Sequence, residues 1–374
     1  MSLDRWPEIA AMLDWQGCYD DQWADLLVPE ALAHPAKFSR GLITRIILHG
    51  LERGWWAKGD VIADPFGGVG TGGIVAAYNG LAWMGVELEA KFVELAEQNF
   101  ALHRQKLEAL DSPQPVIVQG DSRDFARIVG QAAGVLTSPP YISGGHHPDQ
   151  TGSWGGLATE KGLGTKEVAG YGTTPGQIGK LPAGDVAAVI SSPPYAETGS
   201  GGNMKSGAVD TTAWSDGRAR KMGPSMMHPD GYGASDGQIG NLPAGKVEAV
   251  LMGRDSGDSY WKAMNAVYRQ CLLALRPGGM LVVVMKDYAK ERKRIRLCDQ
   301  TFTLLQHIGF IPVERIHALL TKETEIPSLF GKPVVKVKKK ASFFRRLYES
   351  KLPEGHECII NWEEVLCVRK PSNG

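Results

Sequence analysis

Val61-Ile62-Ala63-Asp64-Pro65-Phe66-Gly67-Gly68-Val69-Gly70-Thr71-Gly72-Gly73 is the stretch that decides how this chain folds. A short apolar run ends in an acid, meets a proline and crosses a glycine-rich loop. Helical sequence opens at Ile74–Tyr78. Strand, glycine loop and helix in that order bring backbone amides and a helix N-terminus close to a ligand. Working outward, Trp83–Val86 reads as a second strand that ends at Glu87. Ala90–Leu107, rich in Glu, Lys and Leu, reads as a helix. Pro115–Val118 is a third strand, followed by Gly120-Asp121. Phe125–Val129 suits a short helix, and Val135–Thr137 a fourth strand. Upstream, Leu42, Ile43, Ile46, Ile47 and Leu51 recur at helical spacing. Strand alternating with helix at these intervals predicts an α/β fold, a parallel sheet with helices on both faces.

The pattern breaks after Tyr141. Residues 142–258 are rich in Gly, Ser, Thr, Pro and His, and a loop of that length inside a domain calls for a function or a subdomain. It holds an internal repeat. Gly176-Gln177-Ile178-Gly179 and Leu181-Pro182-Ala183-Gly184 return as Gly237-Gln238-Ile239-Gly240 and Leu242-Pro243-Ala244-Gly245. With so few copies this is local duplication, not a solenoid. The α/β pattern resumes at Tyr260, with a helix face of Trp261, Met264, Val267, Tyr268, Cys271 and Leu272. A turn at Arg276-Pro277-Gly278-Gly279 precedes a buried strand, Met280–Met285. A helix over Phe302–Ile308 stops at Gly309. Ile311–Leu320 and Glu357–Val368 hold the last strands. The chain thus divides into 1–141, 142–258 and 259–374.

Bulk properties exclude several classes. Lys+Arg and Asp+Glu are both 41, so any affinity for nucleic acid must be local. The five cysteines, Cys18, Cys271, Cys298, Cys358 and Cys367, form no CxxC pair, which argues against a zinc site and a disulfide framework. No apolar run reaches the length of a membrane span. A cytoplasmic protein is the expectation.

Three acids, Asp64, Glu87 and Asp121, stand at or just past three successive strand ends. Glu87 can accept both hydroxyls of a ribose, and Asp121 can meet an adenine amino group. No basic residue lies in the glycine loop. The set therefore favours an adenosine ligand with a cationic tail over a pyrophosphate. Ser138-Pro139-Pro140-Tyr141 follows the fourth predicted strand, and Ser192-Pro193-Pro194-Tyr195 follows Val189-Ile190-Ser191. Proline cannot donate to a sheet ladder, so each motif marks a strand end. A rigid edge of acceptors beside an aromatic face suits a planar group that carries an NH2.

Taken together, Asp64-Pro65-Phe66-Gly67-Gly68-Val69-Gly70-Thr71, Glu87, Asp121 and the Ser-Pro-Pro-Tyr motif resemble the amino-group DNA methyltransferases. His34-Pro35-Ala36-Lys37-Phe38 resembles a further cofactor motif of that family. The resemblance covers about 34–141 and, more loosely, 259–320 and 357–370. It implies a Rossmann-like class I fold, a mostly parallel seven-stranded sheet with an antiparallel last strand. It implies S-adenosylmethionine as cofactor, with His34, Pro35, Lys37 and Phe38 beside its methionine part. It also implies double-stranded DNA as substrate, a flipped target base, and a cognate restriction endonuclease as a partner. The serine would accept from the exocyclic amine together with the first proline's carbonyl, and the tyrosine would stack on the base. Ser at the first position is associated in the family with N4 of cytosine, and Asp or Asn with N6 of adenine. Short connections between sequential elements favour the first copy, Ser138–Tyr141, over the second.

Alternatives stay open at this level. They are N6 of adenine, an RNA or protein amide acceptor, a non-catalytic nucleic-acid-binding module and a nucleotide-dependent oxidoreductase. No cysteine follows a proline, which removes a C5-cytosine enzyme. Target recognition falls to 142–258 or to the basic stretch 322–351. The DNA-contact candidates there are Lys332, Lys336, Lys338, Lys339, Lys340, Arg345 and Arg346. A second basic cluster runs from Lys286 to Arg296. His146, His147 and Asp149 in a glycine-rich loop do not have the spacing of a metal site.

Overall fold

The computed structural model describes residues 12–33, 37–135, 185–194, 235–290, 293–326, 334–339 and 349–372. Among these residues, eight strands form one sheet. They are β1 (Leu13–Trp15), β2 (Val61–Asp64), β3 (Ala82–Glu87), β4 (Val116–Gln119), β5 (Val186–Ser191), β6 (Leu275–Met285), β9 (Ile311–Leu319) and β12 (Trp362–Arg369). Their order is β1-β9-β12-β6-β5-β2-β3-β4. Within this sheet only β12 is antiparallel to its neighbours, β6 and β9. This is the Rossmann-like class I sheet with its antiparallel last strand. It has eight strands where seven were expected, because β1 pairs in parallel with β9 at the edge. Three residues are too few for a periodic signal.

Alternation along the strands divides the core. Val61 and Ala63 of β2, Met84 and Val86 of β3, and Leu281 and Val283 of β6 point to one side. There they meet α4 (Phe125–Val135), α5 (Val247–Leu251), α6 (Tyr260–Ala274) and α7 (Leu297–Ile308). Ile62, Trp83, Val282 and Val284 point to the other. They meet α1 (Arg40–Glu52), α2 (Thr71–Tyr78) and α3 (Ala90–Ala109). A period of two with both faces buried is what a parallel sheet between helix layers requires.

The structure corrects the fourth strand. Val135 ends α4, so it does not open a strand there. The slot beside β2 belongs to β5, whose six residues are all buried. A short apolar run cannot be told from a buried helical segment by periodicity alone. Pairing decides it: β5 runs parallel to both β2 and β6. Burying each of Val186, Val189 and Ile190 contributes about 1.5–3 kcal/mol. A core strand therefore comes from within 142–258.

Two small ribbons stand apart from the sheet, β7 (Tyr288–Lys290) with β8 (Lys293–Ile295), and β10 (Thr321–Ile326) with β11 (Val334–Lys339). Among the described residues, no helix is long and apolar enough to cross a membrane.

Candidate active site

From β2 the chain winds outward through β3 to β4, then returns to the other side of β2 as β5. That reversal opens a crevice at the carboxyl ends of the strands, where open α/β sheets bind ligands. Part of the set singled out from sequence lines it, while Asp64, Gly67, Gly70, Thr71, Lys37 and Phe38 do not. Pro65, Phe66, Gly68, Glu87, Leu88, Phe92, Asp121 and Ser122 line one cleft, with Ser192, Pro194, Gly237, Gln238 and Ile239 closing it.

The glycine loop is shaped by what lies beneath it. A Cβ on Gly73 would come within 2.7 Å of the Trp83 ring, and one on Gly85 within 2.2 Å. These glycines therefore make room for a buried indole. Gly70 caps α2 in the left-handed region at φ +77°, and a Cβ there would sit 2.5 Å from Phe100. Only glycine meets both conditions. Asn99, fully buried, donates to the Val69 carbonyl at 2.9 Å and accepts from the Val28 amide at 2.8 Å. It ties the loop to the N-terminal segment.

Asp64 is 2% exposed and accepts from the Phe66 amide at 2.9 Å. Burial pushes its carboxyl up to about 7, against the easing effect of that amide and of the Ser191 hydroxyl. Glu87 is also pushed up by burial. One of its oxygens accepts from the Gly68 amide at 2.9 Å and the other from the Glu89 amide at 3.0 Å. Neither Asp64 nor Glu87 has an ion pair among the described residues. Asp121 differs. Burial would raise it, but the Arg123 guanidinium forks onto it at 2.5 and 3.0 Å and holds it below the usual carboxylate range. The neighbouring Ser122 hydroxyl donates to the Pro65 carbonyl, joining β4's end to the loop after β2.

Of the methionine-side candidates, Phe38 is buried and lines a small internal void with Asp64, Ile190 and Trp83. The Trp23 indole holds its carbonyl at 2.7 Å. Lys37 donates to the Leu32 carbonyl at 2.6 Å, and burial lowers its pKa. His34 and Pro35 lie outside the described residues. Thr71, 3% exposed, opens α2.

The two proline motifs stand differently. Ser138, Pro139, Pro140 and Tyr141 lie outside the described residues. Ser192 directly follows β5, half-buried, with Pro193 and Pro194 buried behind it; Tyr195 is outside the described residues. Ser192 and Pro194 thus face the same cleft as Gly68 and Glu87.

Sequence reasoning missed the wall beside Asp121. Gly237, Gln238 and Ile239 reach the cleft from far along the chain, and the Gln238 side-chain amide donates to Glu89. The recurrence of Gly-Gln-Ile-Gly was the available signal.

Of the basic candidates, Lys336, Lys338 and Lys339 belong to β11. Lys332, Lys340, Arg345 and Arg346 lie outside the described residues. In the other cluster Arg294 is committed to Asp287 at 2.7 Å and stacks over Trp362. Among the described residues no group of three or more His, Cys, Asp or Glu could hold a metal. His146, His147 and Asp149 lie outside them.

The residues present fit S-adenosylmethionine. Glu87, which lines the cleft without a basic partner among the described residues, suits a cationic ligand, and the glycine cradle at Gly68 suits close approach. Leu88, Phe92 and Ile239 offer apolar faces beside Asp121.

Residues 12–98 match a family model described as DNA methylase. The chain is 37% identical over 67 residues to the type II methyltransferase M2.MboI of Moraxella bovis, which is 18% of this chain and 23% of that protein. The chain therefore spans under a quarter of that relative's length. An S-adenosylmethionine-dependent methyltransferase from Agrobacterium tumefaciens aligns at 10% identity and TM-score 0.39, over 89% of this chain and 63% of its own. A TehB-like one from Corynebacterium glutamicum aligns at 10% identity and TM-score 0.32, over 88% and 87%. Likeness at that level bears on neither substrate nor reaction. The segment holding the glycine loop, Asp64 and Glu87 is thus similar to DNA methylases of the N6 and N4 amino-group kind.

Proposed function

We propose that the chain is an S-adenosylmethionine-dependent DNA methyltransferase that modifies an exocyclic amine, N4 of cytosine, on a flipped-out base. We further propose that the second proline motif, Ser192-Pro193-Pro194-Tyr195, holds that base. One observation carries the reading. Ser192 and Pro194 share a cleft with Gly68, Glu87 and Asp121, at the end of the strand that neighbours the glycine-loop strand.

The cofactor, when bound, supplies an electrophilic methyl group on a cationic sulfur. Every other task falls to the chain. Glu87 would accept from ribose hydroxyls, since each of its oxygens keeps a lone pair beyond its amide contact. Asp121 and the apolar walls would hold the adenine. Asp64 would offset positive charge. The Ser192 hydroxyl oxygen and the Pro193 carbonyl would accept from the target amine, localising its lone pair and aiming it at the methyl group. Much of the acceleration would come from this positioning. Ribbon β10–β11, with Lys336, Lys338 and Lys339 in β11, is the proposed phosphate contact.

The test is transfer of a tritiated methyl group to unmethylated DNA, with the modified nucleoside identified by mass spectrometry. N4-methylcytosine is the expected product. N6-methyladenine alone would overturn the cytosine assignment. Absence of transfer to any DNA would overturn the proposed function.

A further inference from the structure

Glu89 stands two residues after Glu87, at the cap of α3, and is 6% exposed. It accepts from the Ser235 amide at 3.2 Å, the Ser235 hydroxyl at 2.9 Å and the Gln238 side-chain amide at 3.2 Å. These donors lie 146 and 149 residues further along the chain. The strap they belong to, residues 235–241, is seated at two more points. Gly237 has φ +95°, and a Cβ on it would lie 2.6 Å from Arg123 Nη2 and 2.9 Å from Asp121 Oδ2. Ile239 is buried in the core against the α4 and α6 side of the sheet. Gly237, Gln238 and Ile239 line the same cleft as Glu87 and Asp121.

We infer that the strap 235–241 is the outer wall of the site for the cofactor's adenosine end, and that Glu89 is the positioning residue that fastens it. The inference rests on the cofactor reading above. Three donors on one buried carboxylate make a strong fastening, because hydrogen bonds to a charged group exceed neutral ones. Gly237 then lets the strap close onto the Asp121–Arg123 pair. Glu89 acts on affinity through the strap, while Glu87 is the residue placed to meet the ligand.

The experiment measures binding of S-adenosylhomocysteine to the full chain by calorimetry, with hydrogen exchange followed at residues 235–241. Glu89→Ala is expected to weaken binding by about ten-fold or more. Glu89→Gln, which keeps one acceptor, should recover part of that loss. The double variant Ser235→Ala/Gln238→Ala removes the two side-chain donors, leaves the Ser235 amide, and should weaken binding in the same direction. Exchange at 235–241 should slow on ligand addition in the wild type and not in Glu89→Ala. Binding within about two-fold of wild type in both the folded Glu89→Ala protein and the double variant overturns the inference alone. So does ligand-independent exchange across the strap. A wild-type protein that does not bind S-adenosylhomocysteine overturns the cofactor reading itself, and the inference with it.

Discussion

The two sides of the cleft are held by different means. On the β2–β4 side every group is local: Asp64, Glu87 and Asp121 stand at or just past the ends of their strands, braced by backbone amides and by Trp83 under the glycines. The rest of the wall is assembled from Ser192 and Pro194 after β5 and from the strap, which docks on Glu89, Asp121 and Arg123 with a latch that joins residues 146 apart. The first side is part of the core. The second is docked on it. Damage to the first should therefore appear as lost stability, and damage to the second as lost affinity or rate with the fold intact.

The largest effect on stability belongs to Trp83. It is 1% exposed, and the hollow formed by Gly73 and Gly85 cannot collapse onto a smaller side chain. Trp83→Ala should cost about 3–5 kcal/mol, read from urea unfolding. A cost near that of a surface change would break the contrast.

Next comes the pH dependence of the same side. The Asp64 carboxyl, ordinarily at 3.8, is raised by burial to about 7. Between those values the folded chain holds a proton that the unfolded chain has lost. Raising the pH through that window therefore weakens the fold, by roughly 2–4 kcal/mol. Glu87, also raised by burial, acts in the same direction. Urea midpoints should fall between about pH 4 and about pH 8 in the wild type, and the fall should be smaller in Asp64→Asn. An equal fall in both proteins would contradict the role given to Asp64.

Gly237→Ala should have the smallest effect on stability. Its Cβ would meet the paired Arg123 guanidinium and Asp121 carboxylate and its backbone is left-handed, so the strap shifts while the core stays packed. A loss of about 1 kcal/mol is expected, together with weaker S-adenosylhomocysteine binding. Unchanged binding beside a large loss of stability would show that the strap serves the fold and not the ligand, and erase the distinction.

The same division governs what the sequence could reveal. Asp64, Glu87 and Asp121 were legible because each ends or directly follows a short apolar run, and the connections between those runs are ordinary helices. The choice between Val135–Thr137 and Val186–Ser191 was not. Both are apolar runs that lead into Ser-Pro-Pro-Tyr, and only pairing with β2 and β6 separates them. Loop-length reasoning favoured the nearer run, yet 50 residues intervene between α4 and β5, from 136 to 185. Glu89 carries no signal in the sequence, since its partners are remote along the chain. Arg123 beside Asp121 was equally silent, because two charges two residues apart announce no pairing. Asn99 sits among the polar residues of α3 and betrays its burial only through its contacts with Val28 and Val69.

The central claim is that catalysis rests on the motif joined to β5. Methyl transfer to DNA by Ser192→Ala and Ser138→Ala proteins, measured side by side, tests it most directly. Ser192→Ala should lose activity on the order of 10²-fold, as for removal of one preorganised catalytic contact, with Ser138→Ala near wild type. Full activity in Ser192→Ala with loss in Ser138→Ala would contradict it.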